Sequence, residues 1–135
     1  MIKLKTVTLN PVGADGSATA TVQVPCRRPG ILRYIGVDYT SQASTADLTI
    51  KDVESTNTLF TAGNTATDIG LTANGVAIVQ AGLSTANGSP GTEADGSQGI
   101  PFTKTLEVKI VQANGSTITN GVGNKSIVVK LWIEQ

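Results

Sequence analysis

The sequence contains no histidine. That removes the Ser-His-Asp and Cys-His nucleophilic pairs and the commonest metal ligand. It contains one cysteine, Cys26, so an intrachain disulfide is excluded. Aromatic residues are few: Tyr34, Tyr39, Phe60, Phe102 and Trp132. A base-stacking platform would need more of them, interleaved with Lys or Arg. Net charge is also absent, with ten basic and ten acidic residues among 135, so nothing draws the chain to nucleic acid or to an anionic membrane. No apolar run reaches membrane-spanning length. The opening "MIKLKTV" is not followed by an apolar stretch of signal-peptide length, which leads to an expectation of synthesis in a reducing cytoplasm. The Asn-x-Ser matches at Asn87, Asn114 and Asn124 then read as chance occurrences.

What the chain does have is alternation with period two, the mark of half-buried strands. The length suits one domain, residues 1–135. "SATATVQVPC" places Ala18, Ala20, Val22, Val24 and Cys26 on one face. "ADLTIKDV" turns Leu48 and Ile50 inward. "FTKTLEVKIVQA" reads as one strand with Phe102, Leu106, Val108 and Ile110 in phase. "KSIVVKLWIEQ" sets Ile127, Val129, Leu131 and Ile133 against Val128, Lys130 and Trp132. "ILRYIGVDYT" is mixed on both faces, which predicts either cover on both sides or a bend at Gly36. "TDIGLTANGVAIVQAGL" is ambiguous, with β-branched content favouring strand. Asn-Gly recurs at 74, 87, 114 and 120, and Asp-Gly at 15 and 95, as short-turn signals. No stretch combines helical periodicity with a capping box. About eight strands predict an all-β antiparallel sandwich, of jelly-roll or immunoglobulin-like type.

Two segments fall outside this regularity. "IKLKTVTL" changes phase, from Ile2 and Leu4 to Val7 and Leu9. A bulge near Lys5 and Thr6 would reconcile the halves. So would an N-terminal arm, residues 1–5, that adds to a neighbour's sheet edge. Residues 84–99 form a long polar loop without apolar anchors, suited either to a passive insertion or to contact with a neighbouring subunit. The candidate protein-contact residues are therefore Ile2, Lys3, Leu4 and Lys5 in the arm, and Asn87, Glu93 and Asp95 in the loop.

Little else carries chemistry. Cys26 falls in the inward phase of its strand and reads as a buried structural thiol. Asp38, Asp47 and Asp52 lie near strand ends. They read as turn aspartates that hydrogen-bond local backbone, with a calcium site built from separate loops as the rarer alternative. "GSPGTEADGSQG" lacks the Lys-Ser/Thr of a phosphate-binding loop. No catalytic residue and no cofactor is expected, and an enzyme is the least favoured class.

The segment "GILRYIGVDYTSQASTADLTIKDVESTNTLF", residues 30 to 60, resembles small virion proteins of tailed bacteriophages. In these an apolar strand ends in Val-Asp-Tyr, and a Ser/Thr-rich turn leads to Asp-Leu/Val-Thr-Ile-Lys/x-Asp and then a hairpin. The ending, "FTKTLEVKIVQANG", a polar turn and "SIVVKLWIEQ", is similar as well. Together they cover roughly half the chain. The resemblance implies a non-enzymatic capsid decoration, or cement, protein on the virion exterior. Its partner would be the major capsid protein and its state a homotrimer, with no nucleic acid or membrane involved. A head–tail or tail-associated sandwich and a carbohydrate-binding or adhesion module are the alternatives.

Overall fold

The computed structural model describes residues 1–39, 45–70, 76–77, 99–113, 115 and 126–135. They form nine strands: β1 (Ile2–Leu9), β2 (Ala18–Pro25), β3 (Gly30–Asp38), β4 (Ala46–Asp52), β5 (Thr58–Thr65), β6 (Val76–Ala77), β7 (Ile100–Phe102), β8 (Thr105–Ala113) and β9 (Ile127–Glu134). One sheet runs β1-β9-β3-β6, with β7 also on β3, and the other runs β2-β8-β4-β5. All pairings are antiparallel.

The pairs β1–β9, β2–β8, β3–β7 and β4–β5 are nested like the rungs of one long hairpin. The added pairs β3–β9 and β4–β8 arise when that ribbon is wound into two facing sheets. This is jelly-roll connectivity, and it decides between the two sandwich types expected. Between the sheets lies one core, in which Leu9, Leu32, Ile35, Leu48, Ile50, Leu106, Ile110, Ile127 and Leu131 are fully buried.

Three phase irregularities in the sequence have local causes. In β3 the register with β9 shifts between Leu32 and Tyr34, leaving Arg33 as the extra residue. Leu32, Ile35, Val37 and Tyr39 can then all face inward. The irregularity is thus a bulge at Arg33 and not a bend at Gly36. In β5 a shift against Ile50 and Lys51 lets the consecutive Leu59 and Phe60 both be buried. A second shift in β5 places Asn64 at positive φ, where its N–H donates to Asp47 Oδ1 at 2.7 Å and its side chain accepts from Thr45.

The expected single strand at 102–113 is corrected to two. Ile100–Phe102 pairs with β3, whereas Thr105–Ala113 joins the other sheet. Thr103 and Lys104 step between the layers. Phe102 and Leu106 are both buried because the two inner faces share one core, so alternation continues through a change of sheet.

Tyr39 is 1% exposed, and its hydroxyl has no hydrogen-bond partner among the described residues. Burial, with Asp47 and Asp68 nearby, pushes the phenol up to about 12, so it stays neutral. An unpartnered buried hydroxyl destabilises a fold. Tyr39→Phe should therefore leave stability unchanged or raise it by up to about 1 kcal/mol. Urea unfolding measures this, and a clear loss would reveal a partner for the hydroxyl.

Candidate functional site

Residues 2–5 are the outer half of β1 and pair within the chain: Ile2 with Glu134, Lys3 with Ile133, Leu4 with Trp132 and Lys5 with Leu131. The register continues unbroken to Leu9 opposite Ile127. The expected bulge near Lys5 and Thr6 is absent, and the segment is not a free arm but a strand bonded to β9. The phase change has a different origin. Lys3 and Lys5 hold the same inward phase as Val7 and Leu9, at the end of the sandwich where they are exposed. Inward positions there need not be apolar. Ile2 and Leu4 consequently point to the outer face, 46% and 49% exposed.

On that outer face Leu4, Trp132 and Tyr34 are direct cross-strand neighbours over β1, β9 and β3. The Trp132 indole packs over Gly36, where a Cβ would be in ordinary contact with the ring at 3.5 Å. The ring covers the backbone that glycine would otherwise expose. Arg33, the bulge residue, donates to the Glu134 carboxylate at the border of this stripe.

Beside β1, between the two layers, lies a cleft of about 420 Å³ lined by Lys3, Lys5, Pro25, Cys26, Arg27 and Gln135. Its three charged linings are all cationic. None of them is ion-paired among the described residues, where the ion pairs are Arg33–Glu134 and Lys51–Glu107. At one end of the cleft Gln135 locks onto the turn at residues 26–28. The Gln135 amide donates both its protons, to Cys26 O at 3.0 Å and Arg28 O at 2.9 Å. Between them Arg27 takes a left-handed backbone conformation, φ 67°, which a non-glycine residue adopts at some cost.

Cys26 is buried, and its thiol lies 3.6 Å from Val24 O. Burial pushes the thiol up despite Lys5, and Glu54 adds to the rise. A raised pKa means little thiolate, in keeping with a packing role for Cys26.

The aspartates separate into roles. Asp47 accepts from the Asn64 backbone, and Asp68 from Tyr39 N–H at 2.9 Å. Asp52 is 2% exposed, the one buried charged residue of the described set. Its carboxylate accepts from Ser55 Oγ at 2.7 Å and Thr103 N–H at 3.0 Å. The Thr103 hydroxyl lies 2.7 Å from Asp52 Oδ1 and 3.0 Å from Glu54 Oε2, and its one proton serves one carboxylate at a time. Glu54 also accepts from Thr105 N–H at 2.9 Å. This cluster ties the β4–β5 turn to the step between sheets. No group of three or more His, Cys, Asp or Glu among the described residues is placed to hold a metal ion.

Burial pushes the Asp52 carboxyl up, but the bonds from Ser55 and Thr103 outweigh it and hold it below its ordinary value. Hydrogen bonds, foremost from Thr105 and then from Thr103, hold Glu54 low as well. A depressed folded-state pKa stabilises above the unfolded value and is lost as pH falls through the folded one. Asp52→Asn should cost about 1 kcal/mol at pH 7. The gap from wild type should begin to narrow below about pH 4, where the unfolded chain's carboxyl takes up its proton, and should close as the depressed native carboxyl protonates in turn. Urea midpoints at pH 7 and pH 3 measure it, and a gap that does not narrow contradicts the assignment.

Of the sequence-predicted contact residues, Ile2, Lys3, Leu4 and Lys5 come together at one edge. Asn87, Glu93 and Asp95 lie outside the described residues, as does the polar loop apart from Gly99. Arg27 and Gln135 were not anticipated as part of any site. They are brought together from positions over a hundred residues apart, and nothing local marks the pairing. Searches among protein-family models, curated proteins and solved structures return no match to this chain.

Proposed function

We propose that this chain is a non-enzymatic structural protein of a tailed-bacteriophage virion, a capsid decoration protein that binds and stabilises the mature lattice. The observation that carries this reading is the outer end of β1. It is an edge strand with exposed Ile2 and Leu4 on one side and, on the other, Lys3 and Lys5 without an ion-pair partner among the described residues. Such an edge, bordered by an apolar stripe, offers both backbone and side-chain contacts to another protein. The segment that resembles small virion proteins folds as β3, β4 and the start of β5, the middle of the ribbon. Jelly rolls recur in viral shells, and this is support by analogy of fold only. A homotrimer would multiply weak contacts to the major capsid protein, since each copy raises the effective concentration of the next. The same surface suits a head–tail position.

One observation favours a different class. Trp132 and Tyr34 lie side by side, both half-buried, on the outer sheet face, where sugar rings could stack. Cosedimentation tests the first reading. Purified protein should pellet with mature capsids and not with capsids already carrying a full complement. Quenching or shift of Trp132 fluorescence by oligosaccharides, without capsid binding, would favour the second.

A further inference from the structure

We propose that the cleft between Lys3, Lys5 and Arg27 receives the carboxylates of an acidic, extended segment of a partner protein, added as a strand along the open edge of β1. This rests on the reading that the β1 surface binds a protein, and it names the chemistry of that partner.

β1 ends its sheet, and among the described residues no strand lies on its outer side. A strand added antiparallel there would set its side chains alternately to the two faces of the sheet. Those opposite Ile2 and Leu4 would meet the apolar stripe. Those opposite Lys3 and Lys5 would point into the cleft, which Arg27 also lines and beside which Gln135 bonds the backbone on either side of Arg27. The partner segment is therefore apolar and acidic in alternation. A second copy of this β1 does not fit, because antiparallel self-pairing would bring lysines against lysines. Edge lysines of this kind oppose self-association. The acid that Cys26 senses most closely, Glu54, is engaged by Thr103 and Thr105 and does not line the cleft.

The test uses isotope-labelled protein and the peptide acetyl-Thr-Glu-Val-Glu-Thr-amide, followed by amide chemical shifts. Saturable shifts should appear at residues 2–5, 26, 27 and 135. They should weaken about fivefold or more in Lys3→Ser/Lys5→Ser and in Arg27→Gly, and at about 0.5 M salt. Glycine adopts the conformation of residue 27 freely, so Arg27→Gly removes the charge without straining the turn. The counterpart with Gln for Glu should bind far more weakly. Three results would each overturn the proposal: no saturable shifts, equal binding of the Gln peptide, or inorganic phosphate giving the same shifts at 26 and 27 with none along β1. Binding here with no cosedimentation on capsids would refute the virion reading alone. Cosedimentation without binding here would refute this site alone.

Discussion

Ile110→Ala should destabilise the protein by about 2–5 kcal/mol, a fall in Tm of roughly 6–18 °C for a domain of this size. Ile110 lies on β8, the strand flanked by β2 and β4, opposite Ala20 on one side and Leu48 on the other, and it is fully buried. Truncation there leaves a cavity that flanking strands bonded on both sides cannot close. Lys109, its neighbour on the opposite face, is exposed, and Lys109→Ala should stay within about 0.5 kcal/mol of wild type. Thermal or urea unfolding of the two variants measures the difference. Equal effects would mean that the assigned phase of β8 is wrong.

Gly115→Ala should cost about 3 kcal/mol, the upper part of the range for overpacking. A Cβ at 115 would lie 2.0 Å from Gly13 O, 3.0 Å from its carbonyl carbon and 3.2 Å from the Ala18 side chain. The obstacle is backbone, not a side chain that can swing away. That backbone is itself fixed: Val12 and Thr19 exchange hydrogen bonds, and Gly16 N–H donates to Ala113 O. Gly16 is the control. It has φ +84° and no neighbour near its missing Cβ, so Gly16→Ala costs only the strain of that conformation, about 1–2 kcal/mol. A Gly115→Ala variant as stable as wild type would contradict the close approach of residues 13 and 115.

The legible parts of this fold are those where period two runs uninterrupted. β4 and β9 follow the expected pattern residue for residue, because each has neighbours on both sides and one face on the core. The illegible parts share a cause: local pattern records which face a residue takes, not which sheet it belongs to or where an extra residue enters. Phe102 and Leu106 keep one phase across a change of sheet. Ile31 and Leu32 lose phase with Ile35 because of one bulge at Arg33. The lysines of β1 keep the inward phase while reading as outward. The candidate edge was legible through the interleaving of Ile2, Lys3, Leu4 and Lys5, although as an arm. Its cationic cleft was not, because Arg27 and Gln135 meet only through the closure of the ribbon, which sets β9 beside β1 and β3.

The proposed stabilising role on a capsid is tested most directly by the temperature at which DNA is released from virions that lack this protein, with and without the purified chain added. A ligand that binds only the assembled lattice shifts its equilibrium away from disassembly. Added protein should therefore raise the release temperature in a saturable way, and the Lys3→Ser/Lys5→Ser variant should need a higher concentration for the same rise. Protein that binds the capsids and leaves the release temperature unchanged, or that does not bind them at all, would contradict the cement role.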